Sequence, residues 1–169
     1  GGINLSGDIT TSSTADGGVS ITGPVTLKDD VTIDSDAAAT TVTLNSSATV
    51  NSDSTARDFE ITTDTGKISV DSVLGGLAAL KSLEINDGGG NSEIDIAGIG
   101  ATNPGVAANG ATKIGNALTT KLTLDGTVYK TDDTQTYTTA AGDKILVTNA
   151  SGATITTSAD DVKFVGGNI

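Results

Sequence analysis

The sequence predicts an all-β chain wound as a parallel β-solenoid, and three observations predict it. First, Val19-Ser20-Ile21, Val25-Thr26-Leu27 and Val31-Thr32-Ile33 repeat one tripeptide pattern at a spacing of six residues. Each unit is apolar, small and polar, then apolar, with Gly, Pro, Asp or Lys between units. That is a short strand with one inward face, followed by a bend. Second, the pattern returns as Val42-Thr43-Leu44, Phe59-Glu60-Ile61, Ile68-Ser69-Val70, Leu83-Glu84-Ile85, Ile94-Asp95-Ile96 and Leu122-Thr123-Leu124. Third, the 169 residues include no His, Cys, Met or Trp, and only Phe59, Tyr129, Tyr137 and Phe164 are aromatic. A compact globule of this length normally buries several large aromatics. Here Val, Ile, Leu, Ala and Thr must fill the interior, which suits a narrow stack of coils built from β-branched residues.

In chain order, residues 3–34 hold the clearest units: Ile3-Asn4-Leu5, Asp8-Ile9-Thr10 and the six-spaced trio. Thr11 to Gly18 reads as a polar turn. Residues 42–70 continue the pattern and add Ala48-Thr49-Val50, with Asn, Ser, Asp and Gly in the connections, as turns require. Val73 to Leu80 is nearly apolar and far too short to span a bilayer. Leu77, Ala78 and Leu80 approach helical spacing, but Gly75-Gly76 opposes a helix, so a corner loop is expected there. Asp87-Gly88-Gly89-Gly90-Asn91 and Asn103-Pro104-Gly105 are turn signals. Residues 101–117 are expected to form a loop excursion within a single unit spanning 1–169, with Ile94, Ile96, Ile99 and Ile114 still facing inward. The strand pattern resumes from Leu122 through Tyr137-Thr138-Thr139, Ile145-Leu146-Val147, Ala153-Thr154-Ile155 and Val162-Lys163-Phe164. At roughly 18–25 residues per coil the chain makes about seven to nine coils. The expected core is Val19, Ile21, Val25, Leu27, Val31, Ile33, Val42, Leu44, Phe59, Ile61, Ile68, Val70, Leu83, Ile85, Leu122, Leu124, Ile145, Val147 and Ile155. The chain opens on Gly1-Gly2-Ile3 without Met and closes on Gly166-Gly167-Asn168-Ile169, both strand entries, so a segment of a longer repetitive protein is expected.

Several of these stretches resemble, in order, the repeats of filamentous-haemagglutinin-like bacterial adhesins. Gly17-Gly18-Val19-Ser20-Ile21-Thr22-Gly23-Pro24-Val25-Thr26-Leu27 followed by Asp30-Val31-Thr32-Ile33 is one. Gly75-Gly76-Leu77-Ala78-Ala79-Leu80-Lys81-Ser82-Leu83-Glu84-Ile85 resembles a second segment of that family. Asp132-Asp133-Thr134-Gln135-Thr136-Tyr137 and Asp161-Val162-Lys163-Phe164-Val165-Gly166-Gly167 resemble two more. Ala101 to Ala117 departs from the pattern. The resemblance implies a right-handed parallel β-helix in a very large, secreted, cell-surface protein whose repeats act as stalk and adhesive surface. It carries no catalytic residue over. The expected partners are neighbouring coils of the same protein or end-to-end copies of this chain, with host or cell-surface glycans as adhesion targets.

The residue inventory limits the chemistry. Without His or Cys, Ser-His-Asp and Cys-His nucleophilic catalysis and His/Cys zinc sites are excluded. Nine basic against 21 acidic residues give a net charge of −12, which repels nucleic acid and anionic membrane surfaces. No catalytic residue and no cofactor are expected. A β-helical polysaccharide-active enzyme would need converging acids and bases. Arg57, the one arginine, lies near Asp53, Asp58 and Glu60 and reads as a surface ion pair. Calcium is the one cofactor the sequence leaves open. Asp29, Asp30, Asp34, Asp36, Asp160 and Asp161 sit near turns, where stacked coils bring hard oxygen ligands together. No calcium nonapeptide repeat or EF-hand loop accompanies them. A glycan- or ice-binding module is the alternative reading. Thr41-Val42-Thr43, Thr134-Gln135-Thr136 and Thr154-Ile155-Thr156 have the triplet form of an ice-matching face, but their spacing is irregular. Asn45-Ser46-Ser47 and Asn149-Ala150-Ser151 match the N-glycosylation triplet, which chance supplies freely in a chain this rich in Asn, Ser and Thr.

Overall fold

Alternation of one inward and one outward residue, broken every few residues by Gly, Asn or Asp, gives eighteen short strands and no helix among the described residues. The computed structural model describes residues 1–12, 18–35, 40–158 and 160–169. In order the strands are β1 (Ile3–Leu5), β2 (Ile9–Thr11), β3 (Val19–Ile21), β4 (Val25–Leu27), β5 (Val31–Ser35), β6 (Thr41–Leu44), β7 (Val50–Ser52), β8 (Asp58–Thr63), β9 (Lys67–Val70), β10 (Ser82–Ile85), β11 (Glu93–Ile96), β12 (Thr112–Ile114), β13 (Lys121–Leu124), β14 (Val128–Thr131), β15 (Gln135–Thr138), β16 (Lys144–Val147), β17 (Thr154–Thr157) and β18 (Val162–Val165).

Every pairing is parallel and joins strands one turn apart, which makes the fold a parallel β-solenoid of about six turns with three faces. Face I stacks β3, β6, β9, β11, β13 and β16. Face III stacks β2, β5, β8, β10, β12, β15 and β18. Face II holds β1, β4 and β7 at one end and β14 and β17 at the other. Its two blocks are joined by single-residue bridges, Val50 to Leu74, Leu74 to Ile99 and Ile99 to Tyr129. The turn count falls below the expected seven to nine because each turn uses three faces and long corners. Val25 pairs with Val50, a turn of 25 residues (50 − 25), and Ile99 with Tyr129, a turn of 30 (129 − 99).

The interior consists of columns of aligned side chains. On face I the column is Val19, Val42, Ile68, Ile94, Leu122 and Ile145. On face III it is Ile9, Ile33, Ile61, Ile85, Ile114, Tyr137 and Phe164. All the interior members are buried, as expected for Ile94, Ile96, Ile99 and Ile114 as well. Two expected core positions differ. Val147 is 43% exposed and Ile155 only partly buried, both in the last described turn. Leu74, Leu80, Val106, Tyr129 and Tyr137 are buried core residues that the strand pattern did not single out.

Residues 71–81 form no helical turn. Leu74 enters the face II column, and Leu80 bridges Val106. Gly75 (φ 66°) makes this possible: a Cβ there would meet the Gly105 carbonyl oxygen of the next turn at 2.0 Å. Within 101–117 the chain carries the Val106 bridge and strand β12. Tyr129 reaches from face II across to face I, where its hydroxyl donates to the Ile96 carbonyl at 2.6 Å and accepts from the Gly126 N–H at 2.9 Å. The Tyr137 hydroxyl donates to Gln135 Oε1 at 2.6 Å, while Gln135 Nε2 donates to the Thr156 carbonyl at 2.7 Å. The polar tips of Tyr129, Tyr137 and Gln135 are thus hydrogen-bonded, which avoids the cost of burying them unpaired.

Candidate functional surface

A strand that begins at a corner leaves its first N–H pointing at the turn before it. Asp is suited to accept that donor, and it recurs where face II gives way to face III. Asp8 Oδ1 accepts the Thr32 N–H at 2.8 Å, and Asp30 Oδ1 accepts the Asp58 N–H at 2.9 Å, each one turn along. Asp58 accepts from the Ser82 hydroxyl at 2.6 Å and pairs with Lys81 Nζ at 2.5 Å. Burial alone would raise the Asp58 carboxyl, but the Lys81 and Ser82 donors outweigh it and hold the group below the usual carboxylate range. With Glu60 and Glu84, these three Asp side chains line an open groove of about 440 Å³ on face III, floored by Val31 and Phe59. Glu60 and Glu84 are direct register neighbours, so like charges stack along the groove.

Arg57 closes the adjacent corner. Its Nε lies 3.3 Å from Asp53 and one guanidinium NH2 group lies 3.7 Å from Asp29, so it pairs with Asp53 and the preceding turn rather than with Asp58. Asp53 is lowered chiefly by the Thr55 N–H, with Arg57 adding to it. On face I the outer ladder runs Lys67, Glu93, Lys121 and Lys144, with Glu93 between two lysines, and Lys67 Nζ meets Asp95 at 2.5 Å. Burial would raise the Asp95 carboxyl, but Lys67 holds it below its ordinary range. Asp125 is pushed up by burial and by the like charges of Asp95 and Asp71, which outweigh its own backbone N–H and the charge of Lys67.

The sequence-derived acids do not come together. Asp29 and Asp30 precede β5, whereas Asp160 and Asp161 precede β18 at the same corner five rungs away, about 24 Å along the stack. Asp34 lies on β5 beside a separate hollow with Asp64 and Gly88 to Gly90. Asp161 pairs with Lys163 at 3.7 Å, and the Asp160 carbonyl accepts the Thr157 hydroxyl. Asp36 lies outside the described residues. Among the described residues no three acidic side chains are grouped so as to hold a metal ion. The three Thr triplets lie on different faces: Thr41-Val42-Thr43 on face I, Thr134-Gln135-Thr136 on face III and Thr154-Ile155-Thr156 on face II.

A second polar column, not anticipated from sequence, runs along the corner between faces III and I. Asn86 is fully buried with φ 56°. It accepts the Thr63 N–H at 2.9 Å and donates to Ser92 Oγ at 2.6 Å. One turn on, Asn116 donates to the Asn86 carbonyl at 2.5 Å. Asn tolerates the left-handed conformation and bonds its surroundings from both ends of the carboxamide. Its only sequence signal is an Asn directly after the strands Leu83-Glu84-Ile85 and, one residue later, Lys113-Ile114. Asn45 and Asn149 act similarly at the corner between faces I and II, donating to the Ile21 and Asp125 carbonyls at 3.1 and 2.8 Å. The arrangement spends its polar side chains on fastening one turn to the next. Among the described residues no helix is long and apolar enough to cross a membrane, which does not bear on β-barrels. No family model, curated protein or solved structure matches this chain.

Proposed function

We propose that the chain is a structural repeat segment of a secreted bacterial surface or fibre protein, a stiff stalk whose outer faces also serve adhesion to glycans. The observation that carries this reading is the continuity of the side-chain columns: Val19 to Ile145 on face I and Ile9 to Phe164 on face III run without interruption. Each turn contacts chiefly its neighbours, so stiffness is a sum of similar interfaces and length is gained by adding turns. The spending of Asp, Asn, Lys and Arg on turn-to-turn bonds supports the same reading. So does the acidic surface, which limits lateral association of strand-rich rods. The order of segments resembling filamentous-haemagglutinin-like repeats supplies the bacterial, extracellular setting. Antibodies raised against the folded rod test it by immunogold labelling of intact source cells. Label on filaments outside the envelope is the expected result, and label confined to the cytosol would contradict it. Binding of the rod to a glycan array tests the adhesive role separately.

A further inference from the structure

We infer that the rod has one soft bending direction: it flexes through the turns between Val50 and Tyr129, in the plane that runs from face II to the opposite corner, and resists bending in other planes. The coil visits faces I, II and III in that order, so the corner between faces III and I stands opposite face II. A rod of stacked turns bends by lengthening or shortening one side against the other, and each side resists according to what ties its turns together. On faces I and III three to five residues pair at every step through this region. On face II the sheet stops at β7 and resumes at β14. Between them each step rests on a single bridging residue. Leu74 holds the next turn by two backbone bonds, its N–H donating to the Gly98 carbonyl at 3.1 Å and its carbonyl accepting the Gly100 N–H at 2.8 Å. Ile99 does the same with the Val128 carbonyl and the Lys130 N–H, at 3.1 and 2.7 Å. The Leu80 to Val106 bridge lies beyond this face, at the corner leading to face III.

The outer side chains repeat the contrast. On face I, Lys67 pairs with Asp95 at 2.5 Å and Lys121 with Glu93 at 3.6 Å, each across one turn. On face III, Lys81 pairs with Asp58 at 2.5 Å and Lys113 with Glu84 at 3.0 Å. On face II the residues beside the two bridges are Val73, Gly75, Gly98 and Gly100, which have no side-chain group to form an ion pair or a hydrogen bond. The opposite corner is clamped over the same turns. Asn86, fully buried, accepts the Thr63 N–H one turn back at 2.9 Å. Asn116 Nδ2 donates to the Asn86 and Gly89 carbonyls at 2.5 and 2.8 Å. Thr63, Asn86 and Asn116 belong to the turns of Val50, Leu74 and Ile99, so the clamp and the gap lie at one level. The stiff line therefore runs down the corner between faces III and I, and the yielding side is face II. Flexing of this kind strains the bridges without opening them, and it leaves Leu74 and Ile99 in the core. A sideways load then deflects the stalk along one axis while its columns stay filled.

Pulsed electron spin resonance between paired cysteine labels reads this, since the chain has no cysteine of its own. Ser20 with Leu146 on face I, Thr26 with Thr156 on face II and Thr32 with Lys163 on face III are outward pairs. All three pairs begin in one turn and end in another, five steps and about 24 Å along the stack. The distance distribution for Thr26→Cys with Thr156→Cys should be roughly twice as wide as those for Ser20→Cys with Leu146→Cys and Thr32→Cys with Lys163→Cys. Asn116→Ala releases the clamp and should widen the face I and face III distributions toward that of face II. Asn116→Asp keeps the side-chain shape, loses both donors and should do the same. Equal widths on the three faces with Asn116 in place would overturn the soft direction. Face I and face III widths that stay unchanged in both Asn116 variants would overturn the clamp that sets it. The stalk reading fails separately: immunolabel confined to the cytosol would remove the stalk and leave these widths as they are.

Discussion

Faces I and II solve the same problem with different amounts of backbone. On face I each turn contributes a strand of three or four residues. On face II two successive turns contribute one bridging residue each, Leu74 and Ile99, between glycine-rich corners. Both residues are nonetheless fully buried, as Leu44 and Ile96 are on face I. The backbone around them is also bonded from turn to turn: the Gly75 N–H reaches the Val50 carbonyl at 2.7 Å and the Gly100 N–H the Leu74 carbonyl at 2.8 Å. What the rod conserves from turn to turn is therefore the column of inward side chains, and strand length is secondary.

The sharpest way to break either face is to bury a charge in a column. Ile33→Asp on face III should cost several kcal/mol, because the interior offers no partner. An unchanged melting temperature would remove Ile33 from the core. Truncation makes the comparison itself: Leu74→Ala and Leu44→Ala should each cost about 2–5 kcal/mol by chemical denaturation, as fully buried leucines do. A loss below about 1 kcal/mol for Leu74 alone would mean that the short rungs of face II carry little of the core. Gly75→Ala should cost about 1–3 kcal/mol, since it combines a left-handed backbone with a Cβ against the Gly105 carbonyl. The same change at Gly142, also at positive φ but with open space around it, should cost less.

The smallest effect concerns pH. Asp58 and Asp95 have lowered pKa values in the fold, so their contribution is present above the ordinary carboxylate value of 3.8 and is lost as pH falls through their lower folded values. Asp125 has the opposite sign. Its folded pKa is raised, so its charge costs stability at neutral pH, and that cost disappears as pH falls through the folded value toward 3.8. The melting temperature should thus rise slightly on mild acidification and fall below about pH 4. Asp125→Asn should raise it by roughly 1 °C at pH 7, since solvent screens an exposed group, and should abolish the rise on acidification. No rise in the melting temperature of the unmodified chain at any point as pH falls from 7 toward about 4 would contradict the raised Asp125.

The strands were legible in the sequence because alternation over three residues marks an inward pair, as in Val42-Thr43-Leu44 and Leu83-Glu84-Ile85. Leu74 and Val106 were not legible as rungs, since a single inward residue near glycines has no period to read, and Ile99 was read as inward but not as a rung of its own face. The long corners between them also explain why the coil count was overestimated. Tyr129 and Tyr137 were not among the expected core positions, whereas burial raises both phenols and each hydroxyl finds an internal acceptor. The acids read as calcium candidates cluster in the sequence by corner, but turns of 22 to 30 residues distribute corners along the rod. Asp30 and Asp161 therefore occupy equivalent places at opposite ends.

Hydrogen exchange measured residue by residue tests the continuous columns most directly. The amides of Leu74, Gly75, Ile99, Gly100 and Gly105 all bond across turns, so they should exchange as slowly as those of Ile68 to Val70 on face I. Protection should decline only toward β1 and β18. Rapid exchange at Leu74 and Ile99, with face I protected, would contradict a core that runs unbroken through face II.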